Sequence, residues 1–316
     1  KITKVDSVFH ALNNSIKENR INAEKTVFTI TGTGVITRDI QVPASTDEEI
    51  QQMIEFEAQQ YFPVDLENYV LDFKVMETVY TQEGAFNRLM LAAVPDKQVE
   101  EYMKLPDMMK MRPEAVDLPA NCVLKYFFGM GDRIKRNDTA LNPEMAEEFA
   151  VIDMGSETTG VCIFNKGNLV FNRILLNGSN EIERQITQIL GMDLQEAEVI
   201  KSHREKVYDE AAAAGEEDTD GIGGIIKPAL DAMLADINRF FDFHHSRDGG
   251  KLSRIYLCGG GSLLKGVDSY VSSYFNVPAE RLRPDKSIVY RGKKGGEAFE
   301  RDFCFLVNAI GALVRV

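Results

Sequence analysis

Residues 149–160 read FAVIDMGSETTG: an apolar run, an aspartate, then a turn rich in Gly, Ser and Thr. A short apolar run of this kind is a buried strand, and it delivers Asp153 at its end. The turn that follows, with Gly155, Ser156, Thr158 and Thr159, can present backbone N–H groups and hydroxyls to phosphate, and Asp153 can hold a hydrated Mg²⁺. A plain β-turn accounts for the same residues.

Working toward the carboxyl end, strands are expected at 149–153 and 160–165, with Asn165-Lys166-Gly167 leading into a third at 168–176. This meander opens a new lobe. Helices follow at 180–190 and 195–214. The segment GEEDTDGIGG (215–224) is acidic and glycine-rich, and reads as loop. A long amphipathic helix at 226–245 leads through Asp248-Gly249-Gly250 to a strand at 254–258. There the sequence IYLCGGGSLLKG (255–266) places Gly259, Gly260 and Gly261 between that strand and a helix at 263–275. Glycines allow a ligand to touch the backbone, and a helix N-terminus favours an anionic or polar group; a flexible turn is the alternative. In AEVIK (197–201), Glu198 and Lys201 stand one helical turn apart, able to grip a ribose or to form a solvated i,i+3 pair. An apolar helix at 303–314 closes the chain.

Toward the amino end, Val5, Val8, Phe9, Leu12 and Ile16 fall at helical spacing behind Thr3, a candidate cap. Strands at 26–30 and 35–42 are joined through Gly32-Thr33-Gly34, which predicts a hairpin turn, a phosphate-binding glycine loop being the weaker alternative. Thr46 and Glu49 form a capping box for a helix whose stripe is Ile50, Met53, Ile54, Ala58 and Tyr61, ending at Pro63. Strands at 69–77 and 86–94 flank a turn at 81–85, and Asp96 begins a helix. A short strand at 112–116 precedes a helix opened by Pro119 and running into Gly129. The polar stretch 133–148 marks a boundary.

Composition narrows the function. A net charge of −13 in 316 residues opposes broad binding of nucleic acid or anionic lipid. The content of 44% hydrophobic and 27% charged residues is that of a globular protein. No apolar run approaches the ~20 residues of a membrane span. KITKVDSVFH (1–10) shows neither a signal peptide nor an amphipathic anchor, which points to the cytoplasm. Cys122, Cys162, Cys258 and Cys304 are widely spaced in apolar contexts and read as reduced, buried side chains. His244-His245 reads as a half-exposed helical pair. No Walker loop, Gly-x-Ser-x-Gly or Cys/His nucleophile is visible.

The order of these segments (phosphate turn, helix with Glu and Lys, strand-Gly-Gly-Gly, closing small-residue helix) resembles the actin/Hsp70/hexokinase ATPase superfamily. Within it, GVITRDIQVP (34–43) and EEIQQMIEFEAQQYFPVDLENYVLDFKV (48–75) are similar to the small subdomain of the PilM family of type IV pilus assembly proteins. VIDMGSETTGVCIF (151–164), AEVIK and YLCGGGSLLKGVDSYV (256–271) continue in register, so the resemblance runs over essentially the whole chain. The stretch EFEAQQYFPVDLENYVLDF (55–73) separates it from the cell-division adaptor FtsA, which shares the layout.

The resemblance implies an α/β, actin-like/ribonuclease H-like two-lobed ATPase fold with a small inserted α+β subdomain. Residues 1–25 would be a remnant of the first lobe, 26–111 the subdomain, and 112–148 the return to that lobe with the connecting helix. The second lobe would be 149–316, with a helical part at about 178–250. ATP would sit between the lobes. Gly155, Ser156, Glu157, Thr158 and Thr159 would form the second phosphate loop, with Asp153 behind the metal, and Glu198 and Lys201 would contact the ribose. Gly178-Ser179-Asn180 stands where the family usually has Gly-Gly, so Gly178 is retained. Gly259, Gly260, Gly261 and Ser262 would line the adenine side. Asp117 would orient attacking water, or cap the helix at Pro119. Ala120, Ala309, Gly311 and Ala312 fit a hinge of two closely crossing helices. The family's first Asp-x-Gly hairpin is not present after Lys1, which reads either as a fragment or as a lost motif with weakened nucleotide binding. The function implied is an adaptor that holds the cytoplasmic tail of PilN and links it to motor ATPases, reaching the inner membrane only through partners. A non-nucleotide scaffold like GspL, an FtsA-like filament former and a small-molecule kinase are the alternatives.

Overall fold

A computed structural model describes residues 2, 4–32, 34–128, 147–203, 222–284, 288–292 and 295–314. Two compact units divide the chain: Lys1–Lys125 with Gly311–Arg315, and Tyr126–Ile310.

The first unit opens on α1 (Val5–Glu18), whose N-cap is Lys4 without a side-chain cap bond; the expected cap, Thr3, lies outside the described residues. Strand β1 (Lys25–Thr29) does not form a hairpin with β2 (Ile36–Pro43). It pairs in parallel with β5 (Arg112–Asp117), whereas β2 joins an antiparallel sheet of order β2-β4-β3, with β3 at Tyr69–Thr81 and β4 at Gly84–Pro95. The glycine-rich connection is therefore a crossover between two sheets. A Cβ on Gly34 would stand 2.7 Å from Pro95 Cγ, and Gln98 Nε2 donates to the Thr31 carbonyl at 3.1 Å. Ile30 and Val35, on either side of the connection, are buried with Val94. Two apolar anchors and a side-chain hydrogen bond thus hold the segment where a hairpin turn was expected. The antiparallel three-stranded sheet begins at β2, and β1 pairs with β5.

Helix α2 (Asp47–Tyr61) carries the complete Thr46/Glu49 capping box and ends at Phe62, before Pro63. Ile50, Ile54 and Ala58 are buried against Val42, Leu89, Leu91 and Ala93 of the sheet, with Met53 and Tyr61 at the margin. Each fully buried aliphatic side chain contributes about 1.5–3 kcal/mol. Helix α3 (Asp96–Met109) follows, and α4 (Pro119–Phe128) leaves this unit between Lys125 and Tyr126.

The second unit is built on a sheet of order β10-β9-β6-β7-β8. Strands β6 (Phe149–Met154), β7 (Thr159–Asn165) and β8 (Asn168–Leu175) form the expected antiparallel meander, and β9 (Arg254–Cys258) lies parallel to β6. The short edge strand β10 (Ala279–Arg281) was not foreseen. One core packs the sheet against α5 (Asn180–Leu190), α6 (Leu194–His203), α7 (Gly223–Asp248) and α8 (Val267–Phe275). The end of α4 adds aromatic packing: the Phe127 ring centroid lies 5.0 Å from Phe149, 5.9 Å from Phe164 and 5.6 Å from Tyr256. Gly223 and Gly224, expected in a loop, are the first residues of α7; Gly215 to Gly221 and the predicted end of the preceding helix lie outside the described residues. The closing segment is α9 (Gly296–Asp302), a 3-10 turn at Phe303–Phe305 and α10 (Val307–Leu313), rather than one helix. No helix among the described residues is long and apolar enough to cross a membrane.

Candidate functional site

Strand register brings three turns to one edge of the five-stranded sheet. In the parallel pair Asp153 lies beside Cys258, so the turns after β6 and β9 leave at the same end. Thr159 opens β7 opposite Met154, and Leu175 closes β8 opposite Thr159, which brings the segment after β8 to that edge as well. The carboxyl ends of strands in such sheets are where ligands bind.

Backbone contacts knit the turns together. Ser179 N donates to the Gly155 carbonyl and Asn180 N to the Ser156 carbonyl, both at 2.9 Å. A Cβ on Gly178 would overlap the Ser156 carbonyl and lie 2.7 Å from the Glu157 carbonyl carbon. Gly259 has φ +76°, and a Cβ there would overlap Asp153 Oδ1 and stand 2.7 Å from the Met154 carbonyl oxygen. On Gly261 it would stand 2.8 Å from Met154 Cβ and 3.2 Å from Ser179 Cβ. Glycine at 178, 259 and 261 is thus what allows the Asp153, Gly178 and Gly259 segments to touch.

The GGGS sequence forms a 3-10 turn, Gly260–Leu263, and α8 starts only at Val267 after the left-handed Gly266. The expected helix N-terminus directly behind the glycines is absent from that place. Ser262 is buried, its hydroxyl donating to the Gly259 carbonyl at 2.7 Å. The Thr159 hydroxyl likewise donates to the Asn177 carbonyl at 2.8 Å. Both hydroxyls brace the turns from within. Ser156 and Glu157 are exposed and Thr158 half-buried, so the tip of the first turn is open to a ligand.

Burial pushes the Asp153 carboxyl up, against the opposing effect of a hydrogen bond from Asn308 Nδ2 to Asp153 Oδ2 at 2.9 Å. The neighbouring Cys258 thiol is raised well above its usual range by burial, with Asp153 adding to the shift. All four cysteines are free and buried, as their sequence contexts suggested.

Glu198 is exposed on α6, and Lys201 does not pair with it. The Lys201 ammonium instead donates to Glu183 Oε1 on α5, with the two side chains 16% and 10% exposed. In the other unit, Asp117 Oδ1 accepts from Leu118 N and Asn121 Nδ2, each at 2.8 Å, and Oδ2 from Lys125 Nζ at 2.7 Å. Although burial works in the other direction, the bonds from Lys125, Asn121 and Leu118 together hold the Asp117 carboxyl below its ordinary value. A carboxylate so engaged anchors α4 and is a weak proton acceptor. His244 is buried rather than half-exposed, its Nε2 3.2 Å from Glu148 Oε2.

Asn308 and Glu183 were not singled out by sequence reasoning. Asn308 carried a signal, being an amide inside the apolar run LVNAIGAL (306–313). Glu183 carried none, because its partner on α6 is 18 residues away and is defined only by packing.

An exposed polar turn, a buried carboxylate and glycines at close approach suit phosphate and a hydrated Mg²⁺, which takes one or two carboxylates and keeps its waters. Among the described residues no group of three or more His, Cys, Asp or Glu side chains is arranged to hold a metal ion directly.

The five-stranded sheet, its covering helices and the turns that meet at its strand ends make an α/β fold. The family profile of type IV pilus assembly protein PilM matches residues 1–316, and the chain belongs to that family. A solved PilM-PilN type IV pilus biogenesis complex is similar with a TM-score of 0.80 at 23% identity, covering 99% of this chain and 85% of that one. The ethanolamine utilization protein EutJ from Carboxydothermus hydrogenoformans aligns with a TM-score of 0.47 at 14% identity over 70% of this chain and 62% of its own. MreB 5 of Spiroplasma citri bound to AMPPNP gives 0.44 at 16%, over 68% and 64%.

Proposed function

We propose that the protein is an ATP-binding adaptor of type IV pilus assembly, holding the cytoplasmic tail of a PilN-type membrane protein and linking it to motor ATPases. Membership of the PilM family supports the pilus role, and the solved PilM-PilN complex of the same fold supports the partner. For the nucleotide, the observation that carries the reading is the meeting of the Asp153, Gly178 and Gly259 turns at one sheet edge.

In this reading Gly155, Ser156, Glu157 and Thr158 hold the phosphates and Asp153 the hydrated Mg²⁺. Thr159, Gly178 and Ser262 support these turns, and Gly259, Gly260 and Gly261 take the adenine side. Glu198 is free to meet the ribose, whereas Lys201 would have to share its ammonium with Glu183. The bound metal supplies positive charge to the phosphates. Asp117 in its ion pair anchors α4, so any hydrolysis is slow and the role is that of a nucleotide-responsive link.

Thermal and denaturant unfolding with and without Mg²⁺-ATP test this. ATP at 100 times its dissociation constant should add about 2.7 kcal/mol of stability. No gain at any concentration would favour a scaffold without nucleotide. A synthetic PilN-type tail peptide should bind the full chain in a fluorescence titration, and failure to bind would remove the adaptor role.

A further inference from the structure

Asn308 lies on α10 between Val307 and Ala309, in a stretch that is otherwise apolar. An amide in such surroundings destabilises the fold unless it is hydrogen-bonded. Only half of this one is. Its Nδ2 donates to Asp153 Oδ2, whereas its Oδ1 is buried without a hydrogen-bond partner among the described residues. A small apolar residue would fill the place on α10 without that penalty, so packing alone does not explain an amide there.

What the amide achieves is visible at Asp153. One carboxylate oxygen is tied to α10, and the other, Oδ1, lies against the Gly259 backbone at the place where a Cβ would be. The same closing segment fixes Gly259 independently, because the Cys304 carbonyl accepts from Gly259 N at 3.0 Å. The chain just before α10 and α10 itself therefore hold both the carboxylate and the glycine beside it. A carboxylate that must meet a hydrated cation works best in one fixed orientation. Groups that hydrogen-bond a metal-binding side chain are what fix it, and removing them typically weakens metal affinity about 10–100-fold.

We infer that Asn308 is a positioning residue for the divalent cation: by holding the Asp153 carboxylate, it sets how tightly the protein takes the Mg²⁺ that accompanies ATP. The inference rests on the nucleotide reading above and adds to it a residue that acts only through Asp153.

The test is a thermal-melt titration of MgCl₂ at fixed ATP, repeated in EDTA, on the full chain and on Asn308→Ala, Asn308→Ser, Asp153→Asn and the double variant Asp153→Asn/Asn308→Ala. Asn308→Ala should raise the Mg²⁺ midpoint about tenfold while leaving the ATP response in EDTA as in the wild type. Asn308→Ser, which keeps a donor, should fall between the two, and it carries the test if the alanine variant fails to fold. In the Asp153→Asn background the second substitution should change nothing further, since a residue that acts through one partner loses its effect with that partner. An unchanged Mg²⁺ midpoint in both Asn308 variants overturns the inference and leaves the ATP site standing. So does a loss equal in EDTA and Mg²⁺, or one that adds in full to Asp153→Asn. A wild-type chain with no ATP response overturns both.

Discussion

Burial of Asp153 works against the unliganded protein. Its folded-state pKa is raised above the ordinary carboxylate value of 3.8, so between the two values the native state binds more protons than the unfolded chain. Stability therefore falls as pH rises through that window and stays at the lower level at neutral pH. Asp153→Asn keeps the shape and removes the charge. At pH 7 it should melt higher than the wild type without nucleotide, show a flatter pH dependence above pH 4, and lose the gain from Mg²⁺-ATP. A lower melting temperature for the unliganded variant would contradict this account of the carboxylate. The Lys201–Glu183 pair makes the opposite case. Lys201→Met strands a buried carboxylate and should cost about 3–5 kcal/mol in urea unfolding, whereas Glu198→Ala, at an exposed position, should stay within about 0.5 kcal/mol. AEVIK alone could not reveal this, because it places Lys201 one helical turn from Glu198 while packing gives it to another helix. Asp153 was legible because a strand end is a local feature; Asn308 stood out as an amide in an apolar run, but its partner, 155 residues away, was not legible.

At the scale of elements, α4 and α10 approach closely at one point. A Cβ on Gly311 would overlap the Cys122 carbonyl, so the two backbones nearly touch there. Ala120 and Ala312 are buried beside this approach, and Ala309, expected in the same crossing, is exposed. Gly311→Ala should destabilise the protein by about 1–3 kcal/mol, read as a lower urea midpoint with an unchanged slope. Ala309→Ser should be silent. Helix starts marked by a local device were read correctly: the capping box at Thr46 and the proline at Pro119 act on their own residues. The Gly32-Thr33-Gly34 connection was misread for a related reason. Its glycines permit either a hairpin or a crossover, and the choice is made by Pro95 and Gln98 on other elements.

For the molecule as a whole, the formal charge of −13 predicts indifference to polyanions. In a gel-shift assay at low salt, duplex DNA should run unretarded at micromolar protein; salt-sensitive retention would reveal a basic surface that the composition hides. What the sequence determined by itself was written in short range: most of the strands and amphipathic helices, the Gly/Ser/Thr turn after Asp153, the buried thiols and the likeness to one pilus family. These depend on hydrophobic period, caps and turn residues, which neighbours a few positions apart settle. Tertiary structure alone decided that β1 lies with β5, that Lys201 answers Glu183, and that Asn308 holds Asp153. Each of these is a choice among chemically equivalent partners, and only the packing of distant segments brings one of them within reach.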